Sequence, residues 1–576
     1  MTTAGDSIRT PSLLTRAEAW MPGVRVIRAY KAGWLPRDVV AGLVLCALLV
    51  PQGMAYAELA GLPPITGLYT TVVCLVAYAV FGPSPYLVLG PDSSLGPMIA
   101  AAIIPLAAGN TEYSIALAGM LALMVGAICA GAGIARLGFI ADLISKPVRV
   151  GYLAGLAITI FFGQLPKLFG YSVDGEGLIG AFMAFLANLD QTNIWTLSVG
   201  LLTLAIILGF RRWAPRMPGV LFAVVAAIAV TAILDLTARG VEVIGVLPQG
   251  FPLPSFPAVE IHDIPLLAAT ALGISLVAIG DTISTSAGFA SRKGYEVDGD
   301  QELVGIGSAN LLAGVFSGFP ISTSGSRTAV AEQSGAKTQL TGVVAGLTVL
   351  AMLLFVPGLV RNMPQSALAA IVIAAAFTLF DRAELSRLWR IRKSEFALGL
   401  VCILGVALVG VLEGIVIAVV VSILQFFERA WRPYSAVLGS PKEVAGYHDL
   451  ARFPHAERIP GLIMLRWDAP LFFANANLFR ELVRKQVAAA ESPPKWIVIA
   501  AEPITDVDTT AADVLVDLDL ELNAEGIHLI FAELKDPVKE KIIRYGLLEA
   551  VDRRHFYPTI EMAVAEFHRE TQSVES

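Results

Sequence analysis

Between Asp38 and Arg432 the chain is a succession of apolar stretches, each near the length a helix needs to cross a bilayer. About 20 residues suffice for one crossing, and a helix is favoured there because it satisfies its own backbone polar groups. The stretches fall at 38–58, 66–82, 89–106, 113–135, 148–166, 193–210 and 217–235, then at 264–286, 301–317, 325–335, 339–359, 365–381, 395–411 and 413–430. This pattern predicts fourteen membrane segments, two of them (89–106 and 325–335) short or polar-headed.

Composition agrees. Of 576 residues, 56% are hydrophobic and 15% charged, against roughly 25% charged in soluble domains. Residues 441–576 hold 15 basic and 23 acidic groups, a net of −8, which leaves +1 for the rest of a chain whose total is −7. An apolar part and an acidic, soluble-looking tail are implied. With that charge and no long basic block, a nucleic-acid partner is excluded. Cys46, Cys74, Cys129 and Cys402 lie scattered inside apolar runs, with neither disulfide nor metal spacing. About 37 polar and basic residues precede the first apolar run, so the N-terminus does not read as a cleavable signal peptide.

Basic residues cluster after even numbers of crossings: Arg25, Arg28, Lys31 and Arg37 before the first; Arg211, Arg212 and Arg216 after the sixth; Arg292 and Lys293 after the eighth; Arg382, Arg387, Arg390, Arg392 and Lys393 after the twelfth; Arg429 and Arg432 after the last. Loops between, such as 171–192 with Asp174, Glu176 and Asp190, are poorer in them. By the positive-inside rule both termini face the cytoplasm, in a multi-pass protein of the inner membrane. The expected layout is a cytoplasmic segment 1–37, a transport domain 38–432, a linker and start of the cytoplasmic region 433–461, an α/β domain 462–570 and a tail 571–576. Strand-like runs Leu462–Arg466, Trp496–Ala500 and Ile527–Leu534 alternate there with helical stretches 475–490, 509–523, 536–545 and 559–569.

Seven plus seven segments, each set with a short third member, read as an inverted repeat. The third segment opens Leu89-Gly90-Pro91-Asp92-Ser93-Ser94; the tenth opens on Phe319-Pro320-Ile321-Ser322-Thr323-Ser324-Gly325-Ser326-Arg327. Helix N-termini attract anions, and Ser93, Ser94 and Ser326 add hydroxyl donors. Arg327 is a permanent charge at membrane depth, where charge marks function. The plainer reading makes these residues helix caps, with Arg327 paired to a structural carboxylate. In the first span Pro51 interrupts the helix, and Gln52 and Tyr56, four apart, share a face that either holds a polar solute or packs a kink. In the eighth, Asp281 and Thr285 are one turn apart. A carboxyl shut away from water favours its neutral form, so Asp281 can take up a proton, bind a small cation with nearby oxygens, or pair with Arg327. Asp92 at an anion site must be turned away as a cap or protonated during binding.

These stretches resemble the sulfate permease family, solute carrier family 26. The resemblance is carried by Val50-Pro51-Gln52-Gly53-Met54-Ala55-Tyr56-Ala57-Glu58-Leu59-Ala60-Gly61-Leu62-Pro63-Pro64, by Gly67-Leu68-Tyr69, and by Leu137-Gly138-Phe139 through Pro147-Val148 with Gly151-Tyr152. It continues in Asn310, Gly318-Phe319-Pro320, Ser326-Arg327 and Gly335-Ala336-Lys337-Thr338-Gln339. The tail resembles a STAS domain at Arg466-Trp467-Asp468-Ala469-Pro470-Leu471-Phe472-Phe473-Ala474-Asn475. The resemblance implies a UraA-like core and gate, a cytoplasmic STAS domain and a homodimer. It places an anion near Gln52, Tyr56, Ser93, Ser94, Ser326 and Arg327, and the position of Asp281 resembles one that serves cation coupling in sodium-dependent bicarbonate members; Thr285, one turn on, and Asp92 are read with it as cation-coupling residues. Asp92 departs from animal anion exchangers, which tend to be apolar there, and so favours symport. The STAS loop Asp508-Thr509-Thr510-Ala511 keeps hydroxyls but has Ala where phospho-regulated relatives have Gly, so Thr509 and Thr510 are either phosphate acceptors or caps.

The expectation is a secondary transporter taking up an inorganic oxyanion, sulfate first, with protons and by alternating access. The same fold can serve sodium-coupled bicarbonate or proton-coupled dicarboxylate transport; nucleobase transport fits poorly with a fixed Arg327. A membrane-tethered regulator whose STAS domain binds a cytoplasmic protein is a different class. An enzyme is disfavoured, with six His, among them His262, His448 and His455, and no ligand spacing, phosphate loop or nucleophile elbow. No cofactor is required beyond coupling H+ or Na+.

Overall fold

The computed structural model describes residues 21–138, 145–173, 177–214, 217–545 and 556–575. Residues 1–20, Phe139, Asp174, Glu176, Arg216 and Ser576 of the expectations above lie outside them. The chain divides into two compact units, Met1–Ser422 and Ile423–Ser576.

The apolar stretches form α1 (Leu35–Leu59), α2 (Pro64–Phe81), α3 (Gly96–Ala107), α4 (Thr111–Ile134), α5 (Lys146–Phe169), α6 (Ile194–Trp213) and α7 (Gly219–Ile233). The second set is α8 (Ile264–Lys293), α9 (Gly299–Val315), α10 (Gly325–Gln333), α11 (Leu340–Phe355), α12 (Gln365–Leu379), α13 (Lys393–Leu404) and α14 (Val411–Trp431). Eight described helical stretches are long and apolar enough to cross a membrane by length and composition. The rest are shorter, and α3 and α10 do not reach across. Residues 89–95 are not helical, against expectation, because Leu89–Gly90 (β1) pairs antiparallel with Ser322–Thr323 (β2). Three further helices, Pro22–Ala29, Gly177–Ala187 and Arg382–Ile391, went unread: they are short, and the first and last are strongly amphipathic rather than apolar.

Helices α1–α4 pack with α8–α11, and α5–α7 with α12 and α13. The tightest seam joins α4 to α9 through small residues. A Cβ on Gly307 would stand 2.5 Å from the Ala130 nitrogen, and one on Gly314 2.5 Å from the Gly119 oxygen. Backbones this close gain dispersion contacts that lipid tails cannot replace. Helices α1 and α2 cross likewise, where a Cβ on Gly67 would lie 1.9 Å from the Gly53 oxygen.

The second unit carries a six-stranded sheet in the order β4-β3-β5-β6-β7-β8. Its strands are β3 (Ser435–Gly439), β4 (His448–Asp449), β5 (Leu462–Trp467), β6 (Trp496–Ala500), β7 (His528–Ala532) and β8 (Phe556–Tyr557), with β5 to β8 parallel. Helices α15 (Ala476–Ala488), α16 (Thr509–Ala524) and α17 (Asp536–Arg544) alternate with the strands, and α18 (Ile560–Glu575) follows. Alternate residues fill two cores: Leu465, Ile497, Ile499 and Leu529 on one side, Met464, Val498, Ile530 and Phe567 on the other. Strands β3 and β4 come from the stretch read as linker and start of the cytoplasmic region; β4 is a two-residue edge strand, and β3, held between β4 and β5, has an apolar run of only three residues, 436–438.

Asp519 of α16 is wholly buried. One carboxylate oxygen accepts from Asn523 at 2.9 Å and the other has no partner in the protein. Burial pushes its carboxyl up to about 6. The raised value means the folded state prefers the neutral acid, so the stability tied to protonation is full below about pH 4 and lost as pH rises through about 6. Asp519→Asn should therefore stabilise this unit at pH 8 by roughly 1–3 kcal/mol, and far less at pH 4. Hydrogen exchange across 509–524 in the full-length protein measures it; equal protection of parent and variant at pH 8 refutes it. In the membrane unit, Gly307→Val should cost at least about 1–3 kcal/mol by overpacking, read as a lower melting temperature in detergent. Melting together with the parent would show that the seam can relax.

Candidate functional site

The two short helices meet through their approaches. Leu89 is in register with Thr323 and Gly90 with Ser322. Val88 flanks the pair, its carbonyl accepting from the Ser324 N–H at 3.2 Å and its N–H donating to Thr328 Oγ1 at 3.0 Å. Buried Asn310 of α9 clamps Ile321, accepting from its N–H at 2.9 Å and donating to its carbonyl at 3.3 Å. Thr70 Oγ1 accepts from the Phe319 N–H, and Thr282 and Thr323 share a hydrogen bond of 2.8 Å. Irregular backbone at membrane depth persists only where protein satisfies it, and these side chains do so.

Neither α3 nor α10 is capped by the side chain at its N-cap position, Leu95 or Ser324. The plain capping reading is thus corrected for these helices: Ser324 Oγ turns to Ser326 Oγ at 3.1 Å. Asp92 alone plays a local cap, its Oδ1 accepting from the Ser94 N–H at 2.9 Å. Its Oδ2 accepts from Arg327 Nη2 at 3.2 Å, and the Gly90 carbonyl accepts from the same nitrogen at 3.5 Å. Arg327 is 1% exposed, and its Nε and Nη1 have no protein partner. A Cβ at residue 90 would lie 2.7 Å from Nη1, so a side chain there would displace the guanidinium from its present place. The Arg327 partner is Asp92, not Asp281, which corrects the pairing entertained for Asp281.

In front of this pair lies a cavity of about 440 Å³. One wall is polar: Gln52 and Tyr56 of α1, Asp92, Ser93, Ser94, Asp281 and Thr285 of α8, and Thr323 to Ser326. The opposite wall is mostly apolar, with Leu153, Ile207, Val220, Ile371 and Ala374, and with Arg211 and Thr378 as its polar exceptions. Ser94 Oγ donates to Asp281 Oδ2 at 3.4 Å. Of the site residues expected from the sequence, Gln52, Tyr56, Ser93, Ser94, Ser326, Asp92, Asp281 and Thr285 share this cavity; Arg327 does not line it but stands behind Asp92. Thr509 and Thr510 lie in the other unit, exposed in the first turn of α16, and the cap there is Asp508, whose Oδ1 accepts from the Ala511 N–H at 2.7 Å.

Sequence reading missed Asp38. Wholly buried at the start of α1, it accepts from Tyr30, from the N–H groups of Lys337 and Thr338, and from the hydroxyls of Thr338 and Thr341. It ties α1 to the turn after α10. An acid in the first turn of an apolar helix was its only local signal, since its partners other than Tyr30 lie some 300 residues on.

Removing one partner of a buried pair strands a charge at a cost of about 3–5 kcal/mol, whereas replacing both can be nearly neutral. Arg327→Met and Asp92→Asn should each lower the melting temperature in detergent, and the double variant should recover most of the loss. Additive losses would show that the two do not act as a pair.

Residues 35–402 match the profile of the sulfate permease family, and residues 453–563 that of the STAS domain. A probable sulfate transporter of Mycobacterium tuberculosis is 41% identical over 551 residues, covering 96% of this chain and 98% of its relative. Sulfate transporter 4.1 of Arabidopsis thaliana, a chloroplastic protein, is 31% identical over 574 residues, covering 97% and 84%. Among solved structures, the murine solute carrier 26 family member A9 anion transporter in its inward-facing state superposes with a TM-score of 0.89 at 22% identity, over 98% of this chain and 96% of that one. The transmembrane domain of a cyanobacterial bicarbonate transporter, BicA, matches 68% of this chain and 96% of its own at a TM-score of 0.59 and 22% identity.

Proposed function

The chain belongs to the sulfate permease family, a family of transporters rather than enzymes, and on that premise we propose that it takes up sulfate together with protons by alternating access. The observation that carries the reading is the facing pair of uncapped half-helices, opening with their hydroxyls onto a cavity backed by Arg327. Backbone N–H groups and Ser93, Ser94 and Ser326 supply donors to the oxyanion, and Gln52 and Tyr56 close the side.

Charge explains the coupling. On the half-helix side, Asp92 and Asp281 ionised together with Arg327 give a net −1, which repels a dianion, and Arg211 stands across the cavity on the opposite wall. Each proton taken up by a carboxylate raises that by one. Protonating Asp92 also frees Arg327 from its partner, so its field reaches the cavity undiminished. Anion binding and proton binding therefore favour each other, as linkage requires. The apolar opposite wall makes few hydrogen bonds to the solute, so the helices carrying the polar wall can slide along it without stripping the anion. The basic groups after even-numbered crossings support cytoplasmic termini in an inner membrane. A homodimer, a cytoplasmic partner for the STAS domain and phosphate acceptance at Thr509 or Thr510 belong to the same reading. A phosphate at a helix N-terminus would be stabilised by the helix dipole.

Proteoliposomes test it. Sulfate uptake should rise with an inward proton gradient and be lost with Arg327→Ala. Asp281→Asn should remove the gradient dependence while keeping sulfate counterflow. Sodium-dependent bicarbonate uptake, or competition by fumarate with no sulfate uptake, would replace the reading with those substrates.

A further inference from the structure

Asp281 borders two cavities. Besides the one above, a cavity of about 360 Å³ lies between α5, α8 and α14, with Ser145, Lys146, Arg149, Tyr152 and Ser284 among its walls. Among the described residues, Asp281 alone lines both. Helix α5 divides them: Leu153 faces the cavity of the half-helices, and Arg149 and Tyr152 face the other.

We propose that this side cavity is a separate aqueous access for the coupling proton to Asp281, so that the proton reaches the carboxylate without passing the bound anion. The inference rests on the proton coupling proposed above. An oxyanion at the half-helix ends covers one approach to Asp281 and leaves this one open. The side cavity has room for several waters, at about 30 Å³ of liquid volume each, and hydroxyls to order them. Ser422 Oγ donates to Ser145 Oγ at 3.2 Å, and Arg149 donates to Ser284 Oγ at 2.5 Å. Near Asp281, Tyr152 donates to the Ser94 carbonyl at 3.5 Å, and Ser94 Oγ to the carboxylate.

The charged and titratable groups facing Asp281 are Asp92 from the approach to α3 and Arg149 and Tyr152 from α5, with Tyr56 of α1 and Arg211 of α6 on the walls of the half-helix cavity. Lys146 stands further along the cavity, paired with Glu384 at 2.6 Å. In the transfer a protonated water gives one proton to an Asp281 carboxylate oxygen; one O–H bond breaks, another forms, and neutral water remains. No electrons are exchanged.

The test is a plug. Ser284 and Ala287 are exposed and line only the side cavity, while the native cysteines are buried. Ser284→Cys and Ala287→Cys are each reconstituted and treated with a bulky, uncharged methanethiosulfonate, with labelling confirmed by mass. At one or both positions, stimulation of sulfate uptake by a proton gradient should fall by roughly tenfold while sulfate counterflow stays within about twofold. Stimulation retained in both labelled proteins, or counterflow lost in both, overturns the separate route. Absence of stimulation in the unlabelled parent overturns instead the coupling on which it rests.

Discussion

The pairing of two short strands, β1 with β2, carries the rest of the membrane unit. Each strand leads into a helix that stops partway, and helices that end inside a membrane expose backbone groups that lipid cannot satisfy. Joining the strands satisfies part of each approach with the other. It also brings Asp92 within 3.2 Å of Arg327, so that residues 235 positions apart neutralise each other in a nearly sealed place. Asn310, Thr70, Thr282 and Thr328 exist in this arrangement to hold those approaches still.

That pair changes how the cavity works. A bare guanidinium would bind an anion strongly and release it slowly. In the proposed reading Arg327, held by Asp92, is instead an adjustable charge whose reach depends on the protonation of its partner, and a proton on one of two carboxylates changes the affinity of the site. Uptake requires binding that is tight on one side and loose on the other, and a neutralised arginine behind a serine-lined surface meets that need more readily than an exposed one.

Much of this was legible in the residues. Segment lengths, the two polar-headed short spans and the isolated positions of Asp92, Asp281 and Arg327 within apolar sequence stand out because burial of charge in an apolar run is costly and therefore rare. Gln52 and Tyr56 could be placed on one face by helical spacing alone. Asp38 and the partnership of Arg327 were not legible, since a carboxylate's partner across hundreds of residues leaves no local mark. Strands β3, β4 and β8 were missed for a related reason. The two-residue edge strands β4 and β8 are held by their neighbours' backbones rather than by an apolar pattern of their own, and β3 has an apolar run of only three residues.

The sequence by itself determined the fourteen membrane segments, their division into two sets of seven each with a short third member, and the acidic α/β tail. These follow from transfer energies and periodicity, which act residue by residue. Only the tertiary structure decided which carboxylate holds Arg327, that Arg327 stands behind the cavity and not in it, and that Asp281 lies between two cavities. Those facts depend on where backbones cross, and crossing is set by the small residues of α1, α2, α4 and α9 acting together.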